Sequence, residues 1–261
     1  MDLSPRQSEI LKTLRRTGRV EVEALAEVFA VTTQTIRRDL AILCDSGLAA
    51  RTHGGARSLQ TLTNMGYRAR QALASDAKAA IGAAAARLIP DHCSIALNIG
   101  TTTEQVARRL SSHTGLVVVS NNINIIAGLQ GSGAHQLILA GGTVRQADGA
   151  IVGPDAVDFI RRYKVDYAVI GASALDEDGA VLDYDTAEVA VARAILANAR
   201  HRILVADRSK FLRSAPVRIC DLSTLDHVVT DQAPPATFGL AAVAAGTNIH
   251  IAQPQEASHG A

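Results

Sequence analysis

Apolar side chains recur along this chain with two different rhythms, and the change falls near residue 76. Over the first sixty residues the spacing is helical. Ile10, Leu11 and Leu14 mark one face. Val22, Leu25, Ala26 and Phe29 follow at i, i+3, i+4 and i+7, and Ile36, Leu40 and Leu43 mark a third face. Ser4, Pro5 and Gln7 have the spacing of a capped helix start. Gly18 and Gly47 read as the ends of the first and third helices, and Thr32 or Thr33 as the N-cap of the third. A three-residue turn, Ala30 to Thr32, joins the second helix to the third, which is the pattern of a helix-turn-helix. After Gly47, "LAART" and the strand following "HGG" predict a two-stranded wing.

From Asp76 the rhythm is that of buried strands between helices. "DAKAAIGAAAARLI", "TEQVARRL", "INIIAGLQ" and "TAEVAVARAILANA" read as helices. "CSIALNI", "LVVVS", "QLILA", "DYAVIGA", "RILVA" and "HVVT" are short unbroken apolar runs that read as strands. The alternation predicts an α/β domain on a parallel sheet. The expected organisation is a winged helix-turn-helix domain over 1–57, a linker with some helix over 58–75, the α/β domain over 76–252 and a flexible tail over 253–261.

Composition supports this and narrows the chemistry. Nearly half of the 261 residues are apolar but only 3% are aromatic, so the cores are built from Ala, Val, Ile and Leu, as suits helices on parallel strands. Three scattered cysteines offer neither a disulfide framework nor metal-ligand spacing. None of the eight histidines pairs at i, i+4 or with a cysteine, so no metal is expected. "GTTT" is neither a Walker loop nor a dinucleotide fingerprint, and no cofactor is expected. The N-terminal residues lack an apolar signal region and no apolar run reaches about 18 residues, so a cytoplasmic protein with no membrane segment is expected.

Net charge is only +1, so contact with nucleic acid would have to come from a local patch. The third helix supplies one. At about 100° per residue, Gln34, Arg37, Arg38 and Ala41 fall opposite the apolar face. Gln pairs with adenine edges and Arg with guanine edges, while Thr33 and Thr35 can meet phosphate oxygens. The wing adds Arg51, His53 and Arg57, whereas the acids cluster on the second helix. An exposed Arg–Arg pair alone is more often a solvated face; the combination points to double-stranded DNA.

In parallel sheets, ligands sit at the carboxyl ends of the strands. Those ends are polar here. Gly100, Thr101, Thr102 and Thr103 offer N–H groups and hydroxyls at a helix start, which suits an anion. Asn121 and Asn122 supply amides, Gly141 and Gly142 a turn, and Arg145 and Lys210 positive charge for a phosphate. Asp176, Asp183, Asp185 and Glu188 can bind ligand hydroxyls or serve as caps and surface charges.

"VTTQTIRRDLAILCDSGLAARTHGGA" resembles the DNA-binding signature of the DeoR family of bacterial repressors, with Thr32 where serine is usual. "NIGTTTEQVA", "SNNINI", "LAGGTVRQADGAIVGPDAVDFI", "VIGASALDEDGAVLDYDTAEV" and "ADRSKF" extend the resemblance over nearly the whole chain. Ser120, Ala174 and Leu212 depart from the family's usual Thr, Gly and Gly. The resemblance implies a sensor domain related in fold to sugar-phosphate isomerases. It implies a pocket at Gly100–Thr103, Asn121–Asn122, Gly141–Gly142 and Lys210, and a phosphorylated small metabolite, sn-glycerol 3-phosphate first, that relieves operator binding at glycerol and glycerol-phosphate metabolism genes. A homo-oligomer, dimer or tetramer, is expected because one wing-bearing head covers a half-site. Alternatives are the same mechanism with another sugar phosphate, an isomerase-like enzyme with Asp176 or Asp183 as base, and a DNA-binding protein with a purely structural C-terminal domain. No catalytic residue is assigned.

Overall fold

The computed structural model describes residues 3–17, 19–46, 48–58 and 67–253. Gly18, Gly47, the Arg57 side chain and the tail from residue 254 lie outside the described residues. Two units divide the chain: Met1–Asn64 with Leu212–Ala215, and Met65–Phe211 with Pro216–Ala261. The first crossing between the units falls within the stretch read as a linker, while Leu212–Ala215 groups with the first unit although it lies inside the stretch read as the α/β domain.

The first unit, the head, begins with α1 (Pro5–Thr17). Its start is a reciprocal capping box: Gln7 N–H donates to Ser4 Oγ at 3.2 Å and Ser4 N–H to Gln7 Oε1 at 3.0 Å. Then come β1 (Arg19–Glu21), α2 (Val22–Val28), α3 (Thr33–Asp45), β2 (Ala49–Thr52) and β3 (Gly55–Ser58). Thr32 caps α3, accepting from Thr35 N–H. Ile10, Leu14, Val22, Leu25, Ile36, Leu40 and Leu43 meet in one core, as their spacing predicts.

The two-stranded wing needs correction. The sheet has three antiparallel strands in the order β1-β3-β2. The extra strand, Arg-Val-Glu, is too short to show a period of two, and it is held by pairing Val20 with Ala56 and burying Val20. The glycine pair now has a reason. A Cβ on Gly55 would lie 1.9 Å from the Val20 carbonyl oxygen, so β1 can approach only a residue without a side chain.

The second unit, the body, runs through α4 (Tyr67–Ala72), α5 (Ser75–Ala86), β4 (Ser94–Leu97), α6 (Thr101–Leu110), β5 (Val117–Ser120), α7 (Ile123–Gly128), β6 (Gln136–Leu139), β7 (Val144–Arg145), β8 (Ala150–Ile151), α8 (Pro154–Ile160), β9 (Val165–Ile170), β10 (Ala174–Leu175), β11 (Ala180–Asp183), α9 (Thr186–Ala197), β12 (Ala199–Val205), β13 (Val217–Asp221), β14 (His227–Thr230), α10 (Ala236–Ala245) and β15 (Asn248–Ile251). Seven strands form a parallel sheet in the order β15-β14-β12-β9-β4-β5-β6.

Both faces of that sheet are covered, which explains the unbroken apolar strands. Ile95, Leu97, Val169, Ile203 and Val229 pack on one side with α5, α6 and α7. Ala96, Ala168, Ile170, Leu204 and Val228 pack on the other with α8, α9, α10 and a small antiparallel sheet, β10-β11-β13. No described helix is long and apolar enough to cross a membrane.

Candidate functional site

β4 and β9 are neighbours, yet the sheet continues in opposite directions from them: β4 leads to β5 and β9 to β12. Their carboxyl ends therefore border a topological switch point, where a parallel sheet opens a crevice. The crevice is lined by Asn98 to Thr102 after β4, by Gly171 to Ser173 after β9, by Asp183 and Glu188, by Lys210, and by Arg70 from α4. Its free interior is narrow, about 40 Å³, and the hollow reaches about 520 Å³ only when the solvent at its mouth is included.

One side of the crevice is rich in N–H donors and positive charge. Gly100 caps α6 with φ +142°, a conformation open to glycine. Its carbonyl accepts from Glu104 N–H and Thr103 Oγ1, at 2.9 and 2.7 Å. The preceding amides, on Thr101 and Thr102, have no partner four residues back within the helix. They sit at the positive end of a ten-residue helix whose last turn carries Arg108 and Arg109. Arg70 and Lys210 add cationic groups.

The other side carries a hydroxyl and two carboxylates, on Ser173, Asp183 and Glu188. Ser173 Oγ donates to Asp183 Oδ1 at 2.9 Å, and Tyr184 N–H to the same oxygen at 2.7 Å. Glu188 is buried, and desolvation, with the charge of Asp183 second, pushes its pKa above the usual carboxylate range. Two buried polar atoms of the lining have no hydrogen-bond partner: Asn98 Oδ1 and Arg70 Nε. Such orphans cost about 1–3 kcal/mol each, so a ligand that satisfies them gains affinity.

Of the candidates read from sequence, Gly100, Thr101, Thr102, Asp183, Glu188 and Lys210 come together on this crevice. The others do not line it. Thr103 is fully buried and spends its hydroxyl on the α6 start. Asn121 donates to the Ile151 carbonyl, while Asn122 caps α7 and donates to the Asp148 carbonyl. Gly141 and Gly142 are exposed before β7. Arg145 is bound to Asp148, Glu188 and Asp185. Asp176 lies in the β10–β11 turn, donating its N–H to the Ala180 carbonyl. Sheet width explains much of this: β6 is two strands from β4, about 10 Å across, so the loop after it starts far from the switch point. Arg70, Asn98 and Ser173 were not foreseen. Asn98, a polar residue closing an apolar run, was the one readable signal.

In the head, Gln34, Arg37 and Arg38 are exposed on α3, and Thr33 and Thr35 are half-buried in its first turn. Thr35 Oγ1 shares a hydrogen bond with Thr32 Oγ1. Arg51 and His53 are exposed on the wing. Arg37, Ala41, Arg51, Gly54 and Gly55 line one cleft between α3 and the wing, so the two basic elements present a shared surface. Asp39, an acid inside the basic motif, turns inward. It accepts from Arg6 Nε at 2.6 Å and Gln7 Nε2 at 2.9 Å, bracing α3 against α1.

A basic winged helix-turn-helix head, in one chain with a sheet-end crevice suited to a small anion, is the architecture of a ligand-responsive transcription regulator. Residues 6–61 match the DeoR-like helix-turn-helix domain and residues 73–232 the DeoR C-terminal sensor domain, and the chain belongs to the DeoR family. It is 39% identical over 237 residues to the glycerol-3-phosphate regulon repressor of Escherichia coli (strain K12), covering 91% of this chain and 94% of that one. It is 41% identical over 234 residues to the repressor of the same name from Haemophilus influenzae, covering 90% and 91%. It is 34% identical over 253 residues to the HTH-type transcriptional repressor CsqR of E. coli (strain K12), covering 97% and 96%. Among solved structures, ribose 5-phosphate isomerase A from Methanocaldococcus jannaschii aligns at TM-score 0.39 and 17% identity, over 52% of this chain and 54% of that one.

Proposed function

We propose that this chain is an operator-binding repressor whose grip on DNA is released by a phosphorylated small metabolite, sn-glycerol 3-phosphate first. The crevice carries the reading. An amide-bearing helix end, Lys210 and Arg70 suit a phosphate, and Ser173, Asp183 and Glu188 opposite suit the hydroxyls of a polyol. The relatives named for the glycerol-3-phosphate regulon support the choice of effector. Arg37, Arg38 and Gln34 read the major groove, the first-turn threonines and the wing residues Arg51 and His53 hold phosphates, and the repressor acts as at least a dimer. An enzymatic reading gains nothing from the geometry: Asp176, one carboxylate considered as a base, does not line the crevice, and Asp183 already accepts from Ser173 and Tyr184.

The test is a gel shift on DNA upstream of the chain's own gene, with and without sn-glycerol 3-phosphate, beside calorimetric titration with that compound, glycerol and inorganic phosphate. The expected result is a shifted band that the phosphoester disperses and glycerol does not. A band indifferent to every phosphorylated metabolite, with no heat of binding, leaves the body a structural role only.

A further inference from the structure

α4 is the first described element after β3, so the chain that arrives from the wing enters the body through it. It is fastened at both ends. The Tyr67 hydroxyl donates to both carboxylate oxygens of Glu104, at 3.0 and 2.9 Å. Glu104 lies in the first turn of α6, the helix whose amides line the crevice. Burial, then the hydrogen bond to Glu104, push the Tyr67 pKa up to about 12, so the hydroxyl keeps its proton. At the other end Lys78 of α5, itself buried, donates to the Arg70 and Leu73 carbonyls, which α4 leaves open.

Between these fastenings the Arg70 side chain turns onto the crevice. It is 17% exposed, and its Nε is buried without a hydrogen-bond partner. Its ion pair with Asp148 is long, 3.7 Å, and Asp148 is already held by Arg145 at 2.6 Å. A desolvated guanidinium with an unspent N–H beside an amide-lined helix end is a half-built anion clamp, because the Arg fork matches two oxygens of a phosphate.

We propose that Arg70 is an effector-binding residue contributed by α4, and that its grip on the ligand's phosphate carries crevice occupancy to the segment of chain leading to the head. This rests on the effector reading above. A ligand shifts a conformational balance only through contacts that differ between the two states. Arg70 supplies such a contact: its Nε has no hydrogen-bond partner within the protein and gains one when phosphate binds. Lys210 and the α6 amides bind the same group from the sheet side.

Hydrogen–deuterium exchange on the full-length protein tests this, with sn-glycerol 3-phosphate, inorganic phosphate and glycerol as separate additions. The phosphoester is expected to protect amides at the start of α6 and along α4, inorganic phosphate to do so at higher concentration, and glycerol to leave α4 unchanged. Arg70→Ala is expected to bind the phosphoester about ten- to a hundred-fold more weakly and to keep protection at α6 only, with Arg70→Lys recovering part of the affinity. Tyr67→Phe, which removes the fastening to Glu104 and not the clamp, should bind effector nearly as well but release operator less. Protection at α6 with none at α4, unchanged affinity in Arg70→Ala and Arg70→Lys, glycerol protecting α4 as well as phosphate does, or full release in Tyr67→Phe each overturns this inference and leaves the effector reading standing. No heat and no protection anywhere overturns the effector reading and this inference with it.

Discussion

Asp148 shows how far a neighbour can reverse the effect of burial. Desolvation alone would raise its pKa, but hydrogen bonds from Arg145 at 2.8 and 2.6 Å and the charge behind them hold it below its ordinary value of 3.8. A carboxylate with a depressed folded pKa contributes stability that is present above the unfolded value and lost as pH falls through the folded one. Asp148→Asn should therefore lower stability near neutral pH by about 1.5–3 kcal/mol. Its deficit should shrink in thermal melts taken below pH of about 4. A deficit constant with pH would mean the charge is not the source. On the DNA side, Arg37→Ala or Arg38→Ala should weaken operator binding by about 1–3 kcal/mol if that side chain reads a base edge. Equal loss on unrelated duplex would mark a phosphate contact. The glycine-threonine loop was legible because polar residues that follow a buried strand have few other reasons to be there. Arg70 was not, since nothing in a weakly periodic stretch tells which way one arginine folds. The amides of Asn121 and Asn122 looked the same as ligand-facing amides, although their donors go to the Ile151 and Asp148 carbonyls.

The elements that were legible are those whose own periodicity suffices. α1, α2, α3, α5, α6, α7, α9 and six strands of the parallel sheet each bury a face or a whole run. The missed ones depend on partners. β10, β7 and β8 have two residues each and exist only through pairing, and the β11–β13 register is broken by an irregularity at Val181/Leu182. α10, "ATFGLAAVAA", is apolar nearly all round, so no stripe marks it; Phe238 and Ala242 are buried while Leu240 and Val243 are exposed. Partnership of this kind also fixes the recognition helix. Asp39 joins α3 to α1 through Arg6 and Gln7, so Asp39→Ala should destabilise the head by about 1–3 kcal/mol. Asp39→Asn, which can still accept from Gln7, should cost less. Denaturant midpoints would rank the three proteins, and equal midpoints would deny the brace. Operator affinity lost in Asp39→Ala should return on cooling if the fault is folding rather than contact.

A chain with a net charge of +1 draws DNA only through where its charges sit, and here exposed Arg37, Arg38 and Arg51 share α3 and the wing. Operator affinity should fall linearly in log–log form with salt, with a slope near −0.9 per phosphate neutralised. Losing one of these arginines, where it meets a phosphate, should reduce that slope by about one in each head of the oligomer. Effector and operator are further tied by linkage. If sn-glycerol 3-phosphate weakens operator binding by some factor, operator must weaken the phosphoester by the same factor, a coupling of about 1–3 kcal/mol in regulators of this kind. Titrating the phosphoester calorimetrically into free repressor and into repressor saturated with operator measures one direction, and operator binding with and without saturating phosphoester measures the other. The two factors should agree, and Arg70→Ala should shrink both together. Unequal factors would mean that the four measured steps do not join the same four species, as happens when the subunit number changes between them.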